Sequence, residues 1–416
     1  MTHDVVVIGV GLAGLTAAVR LAEEGLRVLV VAKGVGGTHL APATIDVLGY
    51  ADAPVESPAE SLPEFIAAHP EHPYGRVSIG TIRSSLEWFT ERLGDLGYQG
   101  RLEENFLLPT AVGVAKPAAL VPQTMAAGDL RAGGRFVFVG LRGLKDFYPA
   151  YLADNLRAAL PRVSARAVEL APPLGVERDV STIGFAQRFE QAEFRDHVVR
   201  ELDQLLAPEE IVGLPAALGL RRAREVWQEL ETRLRHPVFE VSTLPPSVGG
   251  IRVFESMTAA LRREGARIVI GSTVTGAEHN GKRLEAVVAQ TAARPRTYRA
   301  RSFVLASGGF ASGGIEVDSY GQARETAFDL PLAGVPARDE PRFAPGYFDE
   351  HPLARAGLAV DDELRPVDAD GAPAFENLHA AGATLAGATP WREASGNGLS
   401  LATGYAAASA IIERTS

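Results

Sequence analysis

The first fifteen residues constrain the fold more than any other stretch. Asp4-Val5-Val6-Val7-Ile8 is a short apolar run that enters Gly9-Val10-Gly11-Leu12-Ala13-Gly14. An alanine-rich pattern leaves this turn, with Ala13, Ala17, Ala18, Leu21 and Ala22 at helical spacing, and a second apolar run follows at Arg27-Val28-Leu29-Val30-Val31. Strand, Gly-x-Gly-x-x-Gly turn, helix and strand form a βαβ unit from Met1 to about Val31. In such a unit Gly9 permits the tight turn, Gly11 lets a pyrophosphate approach the backbone, and Gly14 lets the helix pack on the strand. The N–H groups and dipole at the helix start, around Leu12 and Ala13, then hold the anion. The flanking strands and helix separate this turn from one that merely contains glycines.

Charge and cysteine content narrow the chemistry. The 416 residues carry a formal net charge of −10 and contain no Lys/Arg-rich run, which argues against nucleic acid as partner. No stretch has the length of a transmembrane helix, and the opening apolar run is too short for a signal peptide, so a cytoplasmic protein is expected. There is no cysteine. Disulfides, thiolate catalysis, Cys-type zinc sites and Cys-ligated iron–sulfur clusters are therefore excluded within this chain. A redox centre here must be an organic cofactor, and electrons bound for an iron–sulfur centre must leave for another subunit.

Further along, residues 51–80 are rich in proline and turn residues and read as loop. His69, Glu71 and His72 lie there, but Pro70 and Pro73 break any helix that would put both rings on one face, and no metal site is expected. Ile82, Leu86, Phe89, Leu93 and Leu96 predict an amphipathic helix over 81–98. Strands are predicted at 106–108, 135–139 and 163–170, and helices at 149–160 and 223–234. Phe185, Phe189, Val198, Leu202 and Leu205 predict one long helix between them. After Pro245-Pro246 the pattern gives a helix over 252–264 and a strand over 267–271. A hairpin over 274–290 turns at Asn280-Gly281, a pair suited to a type I′ turn. Thr297 to Arg301 continues into Ser302-Phe303-Val304-Leu305-Ala306-Ser307-Gly308-Gly309, a buried strand that ends in a glycine turn. An irregular excursion over about 321–364 precedes Leu378-His379-Ala380-Ala381-Gly382-Ala383 and Ser395-Gly396-Asn397-Gly398-Leu399-Ser400, which opens an alanine-rich terminal helix.

Gly9 to Gly14, Ala306-Ser307-Gly308-Gly309, and Gly382-Ala383 through Gly396 to Ser400 resemble, in that order, the signature segments of two-dinucleotide-binding-domain flavoproteins. The resemblance implies a Rossmann-like FAD/NAD(P)-binding α/β domain, with a mostly parallel sheet and a β-meander, plus an inserted α+β cap. The boundaries expected are 1–80 and 244–416 for the flavin domain and 81–243 for the cap, with substrate between them. It also implies that Asn397, Gly398 and Leu399 meet the pyrimidine edge of a flavin, where a helix start suits negative charge near N1 and O2. His72-Pro73-Tyr74, residues 137–147 and Leu244-Pro245-Pro246-Ser247-Val248-Gly249-Gly250 resemble the B-subunit family of anaerobic glycerol-3-phosphate dehydrogenases over nearly the whole chain. That resemblance implies a second flavoprotein subunit and an iron–sulfur, membrane-anchoring subunit as partners. It implies a place at the inner face of the cell membrane reached through them, and transfer of electrons from glycerol 3-phosphate towards quinone. The cofactor expected is FAD, with FMN as the alternative.

Two positions depart from the usual pattern. Lys33, followed by Gly34, stands where an acidic residue commonly bonds a ribose. It is read either as the Lys-Gly of fumarate-reductase-like flavoproteins or as a contact for the 2′-phosphate of NADP. Ala383 replaces an acidic residue found in many relatives. For catalysis, oxidation of a secondary alcohol needs a base and cations for a phosphate tail. The base candidates are His39, next to Thr38 after the Lys-Gly segment, and His236, with His379 expected to be packed. Arg252 and Arg392 are the phosphate-binding candidates, since arginine grips phosphate bidentately. A salt bridge to Glu393 is the alternative role for Arg392. Substrate oxidation on this chain, an electron-transfer and assembly role beside a catalytic partner, and an NADP-linked flavin reductase remain as function classes.

Overall fold

The apolar run at 5–8 becomes the centre of a seven-stranded sheet because both of its neighbours bury it. In the computed structural model, which describes residues 3–171, 179–347 and 349–415, the strand His3–Ile8 is flanked by Val28–Ala32 and Arg296–Leu305, both parallel to it. The order across the sheet is 267–270, 28–32, 3–8, 296–305, 283–290 and 273–280, with Leu378–Ala380 also parallel to the end of Arg296–Leu305. The register pairs Val5 with Val28 and Ser302, and Val7 with Val30 and Val304. Continuous Val/Ile/Leu runs suit strands covered on both faces. Arg296–Leu305 serves two partners: residues 296–299 pair antiparallel with Arg283–Gln290, and residues 300–305 join the parallel part. The helices Leu12–Glu23 and Gly396–Thr415 pack on each other beside this sheet.

The chain divides into two compact units: residues 1–37, 59–89 and 257–416, and residues 38–58 and 90–256. The boundaries differ from those expected. Residues 38–58 and most of the helix Val248–Arg263 fall in the second unit, while residues 81–89 fall in the first. The helices Ile79–Arg92 and Val248–Arg263 run across two of these boundaries instead of ending at them.

The second unit, expected to mix α and β, is built on a four-stranded parallel sheet ordered 238–241, 210–215, 134–141, 163–170. Gly134–Leu141 is central and buried along residues 136–141, whereas Val163–Leu170 is an edge strand, buried at Val163, Ala165 and Leu170 and more exposed between Ala165 and Leu170. One face packs Phe185, Phe189, Val198, Leu202 and Trp227, and the other packs Phe136, Phe138, Leu152, Leu156 and Phe239. The long helix expected around Phe185 is two helices, Thr182–Phe189 and Ala192–Asp203. Gln191 takes an extended conformation between them, and the Glu190 carboxylate turns away to accept from Leu220 N and Arg221 N at 2.9 and 2.7 Å. The hairpin also turns differently. Asn280 pairs with Arg283, and Gly281, alone of the two loop residues, has positive φ (55°), so a type I′ turn does not form. Among the described residues no helix is long and apolar enough to cross a membrane.

Candidate functional site

Close backbone packing explains why small residues occupy the crevice at the C-terminal ends of the parallel strands. Gly9 N donates to Val31 O at 2.9 Å, and Ala306 N donates to Ile8 O at 2.8 Å, so the turn springs from the middle of the sheet. Gly9 has φ +108°, and a methyl group there would overlap the Ala306 carbonyl. A methyl on Gly14 would overlap the Gly9 carbonyl, and one on Gly36 would lie 2.9 Å from Gly11 N. Gly11 is different, because nothing in the protein lies within 4 Å of the place a methyl would take. It caps the helix Leu12–Glu23 without a side-chain bond, and no acidic residue lies in the first turn. The first N–H groups of a helix have no intrahelical acceptor. Here they open onto space above Gly11, as a pyrophosphate cradle requires.

The distant segments close around this turn. Ala381 N donates to Leu305 O at 2.9 Å, and a methyl on Gly309 would lie 2.6 Å from Ala383 O. A methyl on Gly382 would lie 2.8 Å from Ala13 Cβ, and one on Gly404 would overlap Ala13 O. Gly382 N donates to Thr403 Oγ1 at 2.9 Å, tying the 382 loop to the final helix. Gly396, Asn397, Gly398, Leu399 and Ser400 form that helix's first turn, with Leu399 N on Ser395 O at 2.8 Å. Ser307 Oγ and Thr384 Oγ1 are buried without a protein partner. Buried hydroxyls normally have one, so these two suit a polar ligand beside the loops that carry them. Lys33 and Gly34 follow the strand Val28–Ala32 and are exposed.

The acid–base candidates fall in different surroundings. Thr38 and His39 belong to the second unit, in a short turn at Gly37–His39. The His39 ring stands edge-on to Phe254, with centroids 4.7 Å apart, and its Nε2 is buried and unpartnered. Burial lowers the His39 pKa from its ordinary value, against the opposing charge of Glu255. His236 Nδ1 lies 2.8 Å from the Glu210 carbonyl, as a loop-fixing contact between a helix and a strand. His379 is buried, with Nδ1 2.8 Å from Glu363 O, and burial lowers its pKa.

Arg252, expected to grip phosphate, is committed elsewhere. Its Nη1 and Nη2 lie 2.6 and 2.9 Å from the Glu240 carboxylate, and Nε donates to Gly219 O at 2.8 Å. Glu240 also accepts from Thr124 Oγ1 at 2.7 Å and from Leu218 N at 2.9 Å. Both ion-pair side chains are buried, so this is a structural lock in the second unit. Arg392 is exposed, with its guanidinium 5.7 Å from the centre of the Trp391 ring.

A buried network before the final helix escaped sequence reasoning. Glu393 Oε1 accepts from Thr389 N and Oγ1 at 2.6 and 2.8 Å, and Oε2 meets Ser395 Oγ at 2.7 Å and His72 Nε2 at 3.2 Å. His72 Nδ1 accepts from Tyr74 N at 3.1 Å, which leaves Nε2 to donate. Burial alone would raise the Glu393 pKa, but His72, Ser395 and Thr389 together hold it down to about 2. The acid considered as a surface partner of Arg392 is buried, and an internal hydrogen-bond network holds its carboxylate. Thr389-Pro390 was a readable helix start, but nothing local pointed to a histidine more than three hundred residues away.

A family model described as an FAD binding domain matches residues 4–399. A Halobacterium salinarum protein, named as the probable B-subunit of anaerobic glycerol-3-phosphate dehydrogenase, is 33% identical over 99% of this chain and 98% of its own length. The Pectobacterium atrosepticum anaerobic glycerol-3-phosphate dehydrogenase B-subunit is 30% identical over 99% of both. The chain belongs to the anaerobic glycerol-3-phosphate dehydrogenase B-subunit family. As a member of this family it is an FAD-binding oxidoreductase of the dehydrogenase type. Among solved structures, the 3-ketosteroid delta1-dehydrogenase of Sterolibacterium denitrificans aligns over 99% of this chain and 100% of its own, at 13% identity and a TM-score of 0.47.

Proposed function

We propose that this protein holds FAD across Gly9–Gly14, Ala306–Gly309, Gly382–Ala383 and the start of the final helix, and serves a complex that oxidises glycerol 3-phosphate to dihydroxyacetone phosphate. The observation that carries the reading is the open face of Gly11, surrounded by loops whose other approaches are closed by backbone contact. FAD, when bound, supplies an acceptor for the two electrons of the alcohol. The chain itself contributes backbone donors for the pyrophosphate and a helix dipole for the flavin's pyrimidine edge. Without cysteine it cannot ligate an iron–sulfur cluster through thiolates. Onward transfer therefore falls to an iron–sulfur partner, beside a second flavoprotein subunit.

His39 is the base proposed for the hydroxyl proton. Its Nε2 is unengaged by protein, and burial favours the neutral form that a base requires. Arg392 is the remaining exposed arginine candidate for the phosphate. The commitment of Arg252 and His236 to structural bonds favours a second reading, in which the partner flavoprotein oxidises the substrate and this chain relays electrons. Anaerobic addition of glycerol 3-phosphate to the purified, FAD-loaded chain separates the two. Bleaching of the flavin band that is lost in His39→Asn supports oxidation on this chain. A flavin-loaded sample that stays yellow supports the relay role.

A further inference from the structure

The Glu393 network lies where the chain turns into the final helix. Gly387 has φ +96°, and any side chain there would overlap the Glu71 carbonyl, so the 71–74 segment rests directly on the loop that leads to Glu393. From that segment His72 reaches Glu393, with its ring packed between Phe65 and Tyr74 at centroid distances of 5.1 and 4.9 Å. Ser395, fully buried, bonds Glu393 through Oγ and receives Leu399 N on its own carbonyl, so it joins the carboxylate to the first turn of the helix. Four donor contacts converge on one buried carboxylate: Thr389 N, Thr389 Oγ1, Ser395 Oγ and His72 Nε2. A lone loop brace would not need a charge there. A carboxylate so fully satisfied keeps its negative charge, and the positive end of the following helix dipole favours it.

We propose that Glu393 is a positioning residue for the flavin: through Ser395 it sets the start of the final helix, and its buried charge lowers the reduction potential of the bound FAD. The inference rests on the placement of FAD proposed above. Reduction puts negative charge on the flavin near N1 and O2. A fixed anion at the same helix start opposes that charge and takes up part of the dipole that would otherwise stabilise it. His72 and Thr389 set how much of the field escapes, because each hydrogen bond they donate disperses the carboxylate's charge.

Two variants move the charge in opposite senses. Glu393→Gln removes it and keeps the shape. Thr389→Val removes one hydroxyl donor, leaves the backbone N–H and the volume, and so strengthens the uncompensated charge. The midpoint potential of the holoprotein is read by equilibrating it with reference dyes under anaerobic conditions, and flavin retention is read from the ratio of visible to protein absorbance. Glu393→Gln is expected to shift the reduced-to-oxidised ratio at fixed potential about tenfold towards reduced flavin, a rise of about 30 mV for a two-electron couple. Thr389→Val is expected to lower the potential. A purely structural brace would weaken flavin retention in both variants without potential shifts of opposite sign. An unchanged potential in Glu393→Gln, or in Thr389→Val where the first variant does not fold, overturns the inference. Wild-type protein without flavin would instead overturn the placement of FAD.

Discussion

Replacing Arg252 by Met separates a phosphate-binding arginine from a structural one. The substitution keeps most of the aliphatic stem and removes the guanidinium. Glu240, whose side chain has no exposed surface, then keeps Thr124 Oγ1 and Leu218 N but loses its counter-ion and the 2.6 and 2.9 Å bonds. Stranding one member of a buried pair costs about 3–5 kcal/mol. The Gly219 carbonyl also loses its donor at 2.8 Å, which adds about 1 kcal/mol. Trp227 reports on this unit, since it is 8% exposed and its indole N–H donates to Val238 O. With Trp88 and Trp391 changed to Phe, urea unfolding followed by fluorescence therefore reads the second unit alone. The double variant Glu240→Gln/Arg252→Met should recover at least about 2 kcal/mol, because it removes the stranded charge and keeps an amide oxygen as acceptor for Leu218 N. A loss below about 1 kcal/mol in Arg252→Met, joined to a tenfold rise in KM for glycerol 3-phosphate, would refute the structural reading.

Other consequences follow from the same contacts. Gly11→Ala, at a position with φ −69° and no protein atom near the new methyl, should leave the apoprotein's thermal midpoint unchanged and weaken FAD binding about tenfold or more; wild-type flavin titration curves would contradict this. Gly404→Val places a side chain against the Ala13 carbonyl, where no side chain can yield, and should destabilise the first unit by about 1–3 kcal/mol in a thermal melt. Glu393 has a folded pKa of about 2, below its ordinary 4.5, so its stabilising contribution is complete above 4.5 and is lost as pH falls towards 2. That contribution is on the order of 3 kcal/mol, and Glu393→Gln should flatten the acid limb of a pH-dependent melting curve. Parallel curves for the variant and the wild type would show that this carboxylate does not titrate there.

Much of the scaffold was legible because its signals are local. Residues 163–170 and 223–234 form a strand and a helix with the predicted ends, since alternation and helical spacing complete themselves within a few residues. The break at Glu190-Gln191 was legible only as a slip of phase. Phe185/Phe189 and Val198/Leu202 each keep a four-residue spacing, but nine residues separate Phe189 from Val198, about two and a half helical turns, while the partners that fix Glu190, the backbone donors of Leu220 and Arg221, could not be read from the sequence. The hairpin shows the same limit at shorter range: Asn280-Gly281 favours one turn type, but register set along the paired strands moved the loop to Gly281 and Lys282. Arg252 looked available because sequence shows a side chain's chemistry and not its partner. Glu240, only twelve residues away, sits on another element of the fold, and the pairing became visible when the strand Val238–Val241 and the helix Val248–Arg263 were placed.

By itself the sequence carried the expectation of a nucleotide over Gly9, Gly11 and Gly14, pointed to a flavin as the cofactor, and excluded cysteine chemistry within this chain. Those properties depend on residue type and on short-range geometry, which a linear string carries. Tertiary structure alone decided which polar groups are spent and which are free. It closed Arg252 into an ion pair, left His39 Nε2, Ser307 Oγ and Thr384 Oγ1 without protein partners, and joined His72 to Glu393. The physical reason is that a buried polar group must find its partner wherever the fold brings one, at any separation along the chain.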